Sequence, residues 1–567
     1  MELPREIQAR RGFSLSYKGK VLLSKIDPIA QAERIVQSLD LKERTLYLCP
    51  SPLYAYGLQD LLERMHSSSA ILCIEADSNL FEIASKYINN ILDSKKNSAL
   101  QQRLLLAKLK PPTDSASTEA VAEICTLVNK TWGERSFQRI ELIRLNGGWQ
   151  LFSEFYEKIN DLLQKNISQS WTNAITMIHM GRLFIKNAIR NMLLLAKCPS
   201  VLSNIWFNDE PILVLGAGPS ADIILDELSL YKKAGKRPFK IICVDSCIPS
   251  LKERGIEPDL AVILESQHYN LRVFINTKAW KINAVVDLSS LPISACLLGG
   301  ETYLSFTPWT ELNLFKRLKK KGFLPQPLNP LGSVGLTAVE LALRLGSGKI
   351  ILAGLDFSYS LDSSHSRASP VHLSSLFTTN RFKSMLNTES AFRERTFVIK
   401  SKSGLLVRTD PGMMNYRNLF EEEFSRNPRI FDISGSGLSL GLKTLSCAEA
   451  IAILGTSKTS EALSMPDTQV KISSLDVADF IRNEIDILNE MKNMLQGLIP
   501  ADQVRLDELL CMADYLWLHF PEFAGTSDQR PSAKDLSFLK RVRMELDPFL
   551  KLWNMALGEI SGNLKKN

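Results

Sequence analysis

The residues with the clearest chemical potential form a glycine-rich turn between a buried strand and a helix. Gly216, Gly218, Pro219 and Ser220 follow the apolar run 212–215. Two glycines allow a tight turn, and proline suits the first helical position because its missing N–H would have no partner there. The N–H groups and the helix dipole at such a turn favour a phosphate or a carboxylate. The spacing also satisfies the dinucleotide fingerprint, so the turn alone leaves several nucleotide ligands open.

Polar side chains follow the next two apolar runs along the chain. They are Asp245 and Ser246 after residues 240–244, and Glu265, Gln267 and Asn270 after residues 260–264. The carboxyl ends of parallel strands meet at one edge of a sheet, where open α/β folds bind nucleotides. The pattern therefore predicts a nucleotide-binding βαβαβ unit. We expect the first pair to contact a ribose or a base and the other three residues to line a cleft.

A second glycine–serine turn, Gly332 and Ser333, precedes another apolar helix and predicts a second anion site. The strand that follows leads into Asp356 and Tyr359 and then into a polar loop that holds His365. Two anion-binding turns in one sheet suit a nucleotide-activated acidic sugar or a dinucleotide. Each residue also has a structural interpretation: the serine is typical of a helix cap, the tyrosine of a core aromatic and the histidine of an ordinary loop.

Composition limits the class of protein. The chain has 567 residues, of which 45% are hydrophobic and 23% are charged, as in ordinary globular proteins with several domains. A net charge of +7 is too small to indicate nucleic-acid binding. Nine cysteines without a Cys-x-x-Cys motif, and only six histidines, predict a reduced cytoplasmic protein without a structural metal site. The first residues do not form a signal peptide, and basic residues interrupt the apolar stretch 174–197, so no membrane span is expected.

The order of the patterns predicts four parts. Residues 1–165 read as an N-terminal α/β domain, a degenerate Rossmann-like unit because a proline-containing turn replaces the glycine turn. Residues 166–200 read as a connecting helix, following an earlier helix over 149–163. Residues 201–460 are the predicted catalytic domain. Residues 466–567 have apolar positions at helical spacing and predict a helical domain for packing, oligomerisation or partner binding.

Several ordered blocks resemble one family. They are Gly216-Ala217-Gly218-Pro219-Ser220, Val244-Asp245-Ser246, Gly255-Ile256-Glu257-Pro258-Asp259, Glu265-Ser266-Gln267-x-x-Asn270, Gly332-Ser333-Val334 and Gly354-Leu355-Asp356-Phe357-Ser358-Tyr359. This set resembles the motility-associated factor (Maf) family of flagellin glycosyltransferases. The core domain of that family is MptE-like, shared with archaeal-type hydroxymethylpterin diphosphokinases, and similar to bacterial sialyltransferases. The chain departs from the family at Glu265-Ser266, where Asp-Pro is frequent, and at Ser363-Ser364-His365, where a Gly-Lys-Thr-His-like loop is frequent.

The resemblance implies an α/β protein with a Rossmann-like, sialyltransferase-like central domain between an N-terminal α/β domain and a C-terminal helical domain. It implies transfer of a nonulosonic acid of the pseudaminic or legionaminic type from a CMP-activated donor to Ser or Thr of flagellin, in support of motility. We expect the two glycine turns to hold the phosphate and the sugar carboxylate. The implied catalytic residues are Glu265, Asp356, Tyr359 and His365, and the last two would act as base or assist the leaving group.

Three other functions stay open at this stage. A Mg²⁺-dependent diphosphokinase of the pterin type would use Asp245, Glu265 and Asp356 as metal ligands. An oxidoreductase would bind NAD(P), although the second turn gives it no special support. A non-catalytic flagellin-binding assembly factor would keep the fold without turnover. No cofactor beyond the donor sugar is expected, and a Mg²⁺ requirement and homo-oligomerisation are left open.

Overall fold

The structure is a computed structural model that describes residues 3–93, 102–110, 116–133, 136–230, 237–275, 277, 280–360, 363–384, 395–455, 472–500, 502–524 and 533–564. Contacts divide the chain into two compact units. The first comprises residues 1–181 and 517–534, and the second comprises residues 182–516 and 535–567.

The first unit contains two sheets. The strands of its antiparallel sheet are β1 (Arg5–Gln8), β2 (Phe13–Tyr17) and β3 (Lys20–Val21). Its parallel sheet consists of β4 (Thr45–Pro50), β5 (Ala70–Glu75), β6 (Leu104–Lys108) and β7 (Arg139–Leu142), in the order β6-β5-β4-β7. The helices are α1 (Pro28–Ser38), α2 (Leu58–Arg64), α3 (Ser78–Leu92), α4 (Ala116–Trp132) and the part of α5 (Ser153–Arg190) that precedes residue 182, with a 3₁₀ turn at Gly148–Phe152 and another at Pro521–Ala524. The predicted N-terminal α/β fold is confirmed.

Protein groups fill the turn after β4, where a glycine turn is missing. The buried carboxyl of Glu75 accepts hydrogen bonds from Ser51 Oγ (2.6 Å), the Asp77 backbone N–H (2.9 Å) and Tyr156 Oη (3.1 Å). Ser51, at φ 52°, adopts a left-handed backbone conformation that is uncommon for residues other than glycine. The acid at the end of β5 is therefore committed to contacts within the unit.

The second unit is built on an eight-stranded sheet whose described pairings are all parallel. Its strands are β8 (Ile212–Leu215), β9 (Lys240–Val244), β10 (Leu260–Ile263), β11 (Ala284–Asp287), β12 (Thr302–Ser305), β13 (Ile350–Ala353), β16 (Ile430–Ile433) and β17 (Thr444–Leu445). A separate hairpin pairs β14 (Phe397–Lys400) with β15 (Leu406–Thr409). All four residues of β8, β10, β11 and β13 are buried, as expected for parallel strands covered on both faces.

The strand order is β12-β11-β10-β9-β8-β13-β16-β17. The chain leaves β8 toward β9 and the strands beyond it, and later returns to the opposite side of β8 through β13. Neighbouring strands whose connections leave in opposite directions create a crevice at their carboxyl ends. The end of β8, which carries the first glycine turn, therefore lies at the topological switch point of the sheet.

Helices cover this sheet and continue into the C-terminal segment. They are α6 (Met192–Lys197), α7 (Val201–Asn204), α8 (Ala221–Leu230), α9 (Ile248–Glu253), α10 (Asn313–Lys320), α11 (Val334–Leu345), α12 (Pro370–Thr378), α13 (Pro411–Phe424), α14 (Cys447–Leu454), α15 (Ser474–Leu495), α16 (Gln503–Met512) and α17 (Leu536–Leu564). The 3₁₀ turns are Asp245–Cys247, His268–Phe274, Pro292–Cys296 and Asp514–Leu516. Helices α15 and α17 pack together, and the predicted helical C-terminus is confirmed. No helix within the described ranges is both long and apolar enough to cross a bilayer.

Candidate functional site

The first glycine turn and the loop after β13, which begins with Gly354, lie in close contact at the switch point. A Cβ atom on Gly216 would lie 2.3 Å from the carbonyl oxygen of Gly354, and one on Gly354 would lie 2.6 Å from the carbonyl oxygen of Gly216. Gly354 also has a φ of +75°, which favours glycine. Gly218 donates its N–H to the Gly354 carbonyl at 2.8 Å. The glycines of the first turn are therefore required by the close approach of the loop that follows β13.

The carboxylate of Asp356 occupies the start of α8. It accepts a hydrogen bond from the Ser220 backbone N–H at 2.8 Å and another from the Ser220 hydroxyl. Asp356 is only 3% exposed, and a Cβ on Gly218 would lie 2.6 Å from its Oδ2 atom. A negative charge is favourable at a helix N-terminus, and here the protein itself supplies it. The structure thus brings Gly216, Gly218, Ser220 and Asp356 together, and a role of this turn in phosphate binding stays a prediction.

A second cluster lies at the carboxyl ends of β9 and β10. Asn270 donates its side-chain N–H to Asp245 Oδ2 at 2.7 Å, and the Ser246 N–H donates to Asp245 Oδ1 at 2.7 Å. Burial raises the pKa of the Asp245 carboxyl, and the charge of Glu265 adds to this effect, whereas the two hydrogen bonds oppose it. The net result is a pKa of about 6. The structure therefore brings Asp245, Ser246, Glu265 and Asn270 together at the carboxyl edge of the sheet, and their role in ligand binding stays a prediction.

Glu265 presents a half-buried carboxylate in the same cluster. Its Oε1 atom accepts the backbone N–H groups of Ser266 and Gln267, each at 2.9 Å, and its Oε2 atom accepts the hydroxyl of Tyr269 at 3.0 Å. The Tyr269 ring is exposed and lies below the Arg272 guanidinium, 5.3 Å from ring centroid to Cζ. Glu265 is therefore held in a fixed orientation beside an exposed aromatic surface that the sequence patterns did not reveal.

Two buried asparagines near the end of α5 fix the loops around this cluster. Asn187 donates its amide to the carbonyls of Ser266 (3.0 Å) and Ser289 (3.2 Å). Asn191 donates to the carbonyls of Leu288 and Ser290, both at 2.9 Å. Their spacing of four residues places both amides on one side of a helix. Two asparagines at this spacing in an apolar helical stretch are a sequence signal that could have identified them.

The second glycine–serine turn lies next to the loop after β13. Gly332 has a φ of +70°, and Ser333 is the N-cap residue of α11, although its hydroxyl makes no capping hydrogen bond. A Cβ on Gly335 would lie 2.6 Å from Leu355 Cδ2. Helix α11 packs against β8, β9 and β10. The N-terminus of α11 is therefore at the carboxyl edge of the sheet, and anion binding by this turn stays a prediction.

Tyr359 and His365 have different environments. The Tyr359 hydroxyl is buried and donates to Asp410 Oδ2 at 2.6 Å. His365 is half-buried, with its Nδ1 atom 2.9 Å from the Ser364 hydroxyl. The next residue, Ser366, donates its N–H to the Ala217 carbonyl at 2.8 Å, so the histidine loop crosses the first glycine turn. The structure thus brings His365 close to the switch point and commits Tyr359 to Asp410.

A buried ion pair that the sequence analysis missed lies behind Asp356. Lys402 Nζ is 2.7 Å from Asp432 Oδ2, and the two side chains are 6% and 4% exposed. Burial raises the pKa of Asp432 and the charge of Asp356 adds to this effect, whereas Lys402 opposes it. The net result is a pKa of about 6. The Lys402 backbone N–H donates to the Gly437 carbonyl, and the neighbouring Leu438 N–H donates to the Asp356 carbonyl. Lys402 lies in a hairpin 30 residues before Asp432, so no local sequence pattern predicts that the two side chains pair.

The described part of the chain contains no group of three or more His, Cys, Asp or Glu side chains placed to hold a metal ion. The nine cysteines are free thiols. Among the predicted site residues, Pro219 belongs to the first turn and Gln267 contributes its backbone N–H to Glu265. The candidate site therefore consists of carboxylates, amides, hydroxyls and a histidine at the carboxyl edge of the sheet.

Comparisons with known proteins show what the chain is similar to. Residues 184–362 match the profile of the family described as 6-hydroxymethylpterin diphosphokinase MptE-like. An uncharacterized protein of Treponema pallidum (strain Nichols) is 29% identical over 569 residues, which cover 97% of this chain and 95% of that protein. The structure of a Maf glycosyltransferase from Magnetospirillum magneticum AMB-1 matches with a TM-score of 0.54 and 13% identity, covering 99% of this chain and 93% of that chain. The chain is therefore Maf-like in fold and carries an MptE-like domain at residues 184–362.

Proposed function

We propose that this protein is a glycosyltransferase that moves a nonulosonic acid, of the pseudaminic or legionaminic type, from a CMP-activated donor to a Ser or Thr hydroxyl of flagellin. The observation that carries the proposal is the cluster of Asp245, Asn270 and Glu265 beside the switch point of a parallel sheet. A fold shared with a Maf glycosyltransferase supports the reaction class. Donor, acceptor and sugar follow from the family resemblance of the sequence.

The reaction needs a group that takes the proton of the acceptor hydroxyl and groups that stabilise the departing phosphate. Of the four residues predicted to be catalytic, Asp356 and Tyr359 are buried and bonded to Ser220 and Asp410. Glu265 and His365 are half-buried, so part of each side chain is exposed to solvent. We therefore assign proton transfer to Glu265 or His365, and we assign Asp356 and Tyr359 to positioning.

The donor's anionic groups suit the N-terminus of α11. Ser333 makes no capping hydrogen bond there, and Gly332 approaches a bound group without a side chain. The start of α8, by contrast, is already neutralised by Asp356. The nucleoside then extends toward Asp245, Ser246 and Asn270. The half-buried Ser246 is available to contact a ribose hydroxyl or a pyrimidine edge, and the buried pair Asp245 and Asn270 holds that turn in position. In this proposal, the phosphate lies between the two proton-transfer candidates and the residues that bind the nucleoside.

The experiment is calorimetry of the purified protein with CMP and CDP, compared with ATP plus Mg²⁺ and with NADH, and repeated on Asp245→Ala. Saturable CMP binding that is lost in the variant supports the proposal, and an intact-mass assay of flagellin with donor sugar then tests transfer. Binding of ATP with Mg²⁺ alone would favour the diphosphokinase named by the matching family profile. CMP binding without transfer would favour a non-catalytic assembly factor, and no nucleotide binding would overturn the proposal.

A further inference from the structure

A groove of about 810 Å³ opens between segments that also carry candidate site residues. Its lining comes from α9, from the turn His268–Phe274 with the residues after it, and from α12 with the loop before it. The same turn carries Asn270, helix α9 directly follows the turn that holds Asp245, and the loop before α12 holds His365. A molecule in this groove is therefore bound by the same segments that build the candidate site.

The groove is apolar, with two cations at its wall. Ile275 and Phe377 line it although they are 66% and 81% exposed, and large exposed apolar side chains in a concave surface mark an interaction site. Lys252 and Arg272 supply positive charge. The acidic residue of the lining, Glu253, lies 3.4 Å from the guanidinium of Arg254. The surface thus favours a partner with apolar side chains and a negative charge.

Helix α12 contributes little to the core of its unit. None of its residues is buried, and it begins with Ser369, whose hydroxyl accepts the Val371 N–H, followed by Pro370. Leu373 and Phe377 both line the groove and are four residues apart, so they lie on the same side of the helix. An amphipathic helix normally packs its apolar side against its own core. Here that side faces the groove, which is consistent with a binding role.

We propose that this groove is the acceptor site, and that it binds an extended or helical segment of flagellin with apolar side chains and an acidic residue. The segment presents a Ser or Thr hydroxyl toward Glu265 and His365. This inference rests on the proposed function and specifies its acceptor. A nucleotide-activated sugar is a poorer occupant, because it exposes hydroxyls and phosphates and offers little apolar surface to Leu373, Ile275 and Phe377.

The test compares the intact protein with the double variant Leu373→Ser/Phe377→Ser and with the control Val504→Ser. Val504 is 70% exposed in α16 and does not line the groove. Affinity for the flagellin encoded in the same genome is measured by surface plasmon resonance, affinity for CMP by calorimetry, and folding by thermal melting. We expect flagellin binding to weaken about tenfold or more in the double variant. We expect CMP affinity and melting temperature to stay unchanged, and the control to match the wild type.

Each other outcome has a defined meaning. Unchanged flagellin affinity in the double variant would overturn the acceptor groove. Loss of CMP affinity together with flagellin affinity would show that the groove holds the donor, which also overturns the inference. If the wild type binds CMP but no flagellin, the proposal that the groove binds flagellin is wrong, and the proposal that the protein binds a nucleotide is supported. If it binds flagellin through the groove but no CMP, the proposed glycosyl transfer fails and the groove stands.

Discussion

Replacement of Asp245 by asparagine should stabilise the protein at alkaline pH while weakening nucleotide binding. Burial raises the pKa of this carboxyl from its ordinary value of 3.8 to about 6. A group with a raised folded-state pKa contributes stability below pH 4 that is lost as the pH rises to about 6. A difference of about two pKa units corresponds to about 3 kcal/mol. Asparagine does not titrate, so the variant avoids this loss of stability. Its hydrogen bonds to Asn270 and Ser246 are less favourable than those of the carboxylate, so we expect a net gain of about 1–3 kcal/mol in the free energy of unfolding.

Thermal unfolding at pH 5 and pH 8 measures the effect. In a unit of this size, about 1–3 kcal/mol shifts the melting temperature by roughly 2–6 °C. The shift should appear at pH 8 and shrink toward pH 5, where part of the wild-type carboxyl is protonated. Asp259→Asn is the control, because Asp259 is more exposed and pairs with Arg237 at 3.1 Å, so its loss should not stabilise the protein. A variant no more stable than wild type at pH 8, or a shift independent of pH, would refute this reasoning.

Three further predictions concern the same edge of the sheet. Gly218→Ala should displace the Asp356 carboxylate, because the added Cβ would lie 2.6 Å from its Oδ2 atom, and thermal melting should show a loss of about 1–3 kcal/mol in stability. The control Gly558→Ala adds its Cβ in open space and should be neutral or stabilising. Lys402→Met should destabilise the protein by about 3–5 kcal/mol at pH 8, because it leaves the Asp432 carboxylate unpaired, and by less at pH 5. Adding Asp432→Asn should recover most of the lost stability. An equal loss at both pH values would show that the unpaired carboxylate is not the cause. Glu265→Gln should reduce transfer by about 100-fold or more at unchanged CMP affinity if this carboxylate is the base. An unchanged transfer rate would leave proton transfer to His365.

The sequence predicts the strands around the switch point because buried parallel strands are short, continuously apolar runs. The runs that precede Gly216, Asp245 and Glu265 became β8, β9 and β10, with these residues at their carboxyl ends. Helix limits were less accurate. Two helices, over 149–163 and 166–200, were predicted where the structure has α5, Ser153–Arg190, followed by the short α6. The polar residues between the predicted helices lie largely on the solvent side of one continuous helix.

Contacts between distant segments were beyond the reach of local patterns. Asp356 and Ser220 are 136 residues apart, and the sequence assigned them separately to catalysis and to phosphate binding. Only the return of the chain to the opposite side of β8 makes them neighbours. The pairing of Lys402 with Asp432 depends on the fold in the same way, because Lys402 lies in the β14–β15 hairpin and Asp432 lies in β16, 30 residues further along the chain. Motif reading therefore identified residue types at the site and could not identify their partners.

The Asp356 carboxylate at the start of α8 lies between two parts of the carboxyl edge that differ in burial. On the β13 side, Asp356, Lys402 and Asp432 are buried and bonded within the protein, which suits a supporting role. On the β9 and β10 side, Glu265 is half-buried. Helix α11 packs over these strands, and the hydroxyl of its N-cap residue, Ser333, makes no capping hydrogen bond. If ligands use this second part, Ser333→Ala should weaken CMP binding about tenfold without loss of melting temperature. Unchanged CMP affinity in that variant would instead direct the search for the phosphate to Ser220, and would require the Asp356 carboxylate to move when the donor binds.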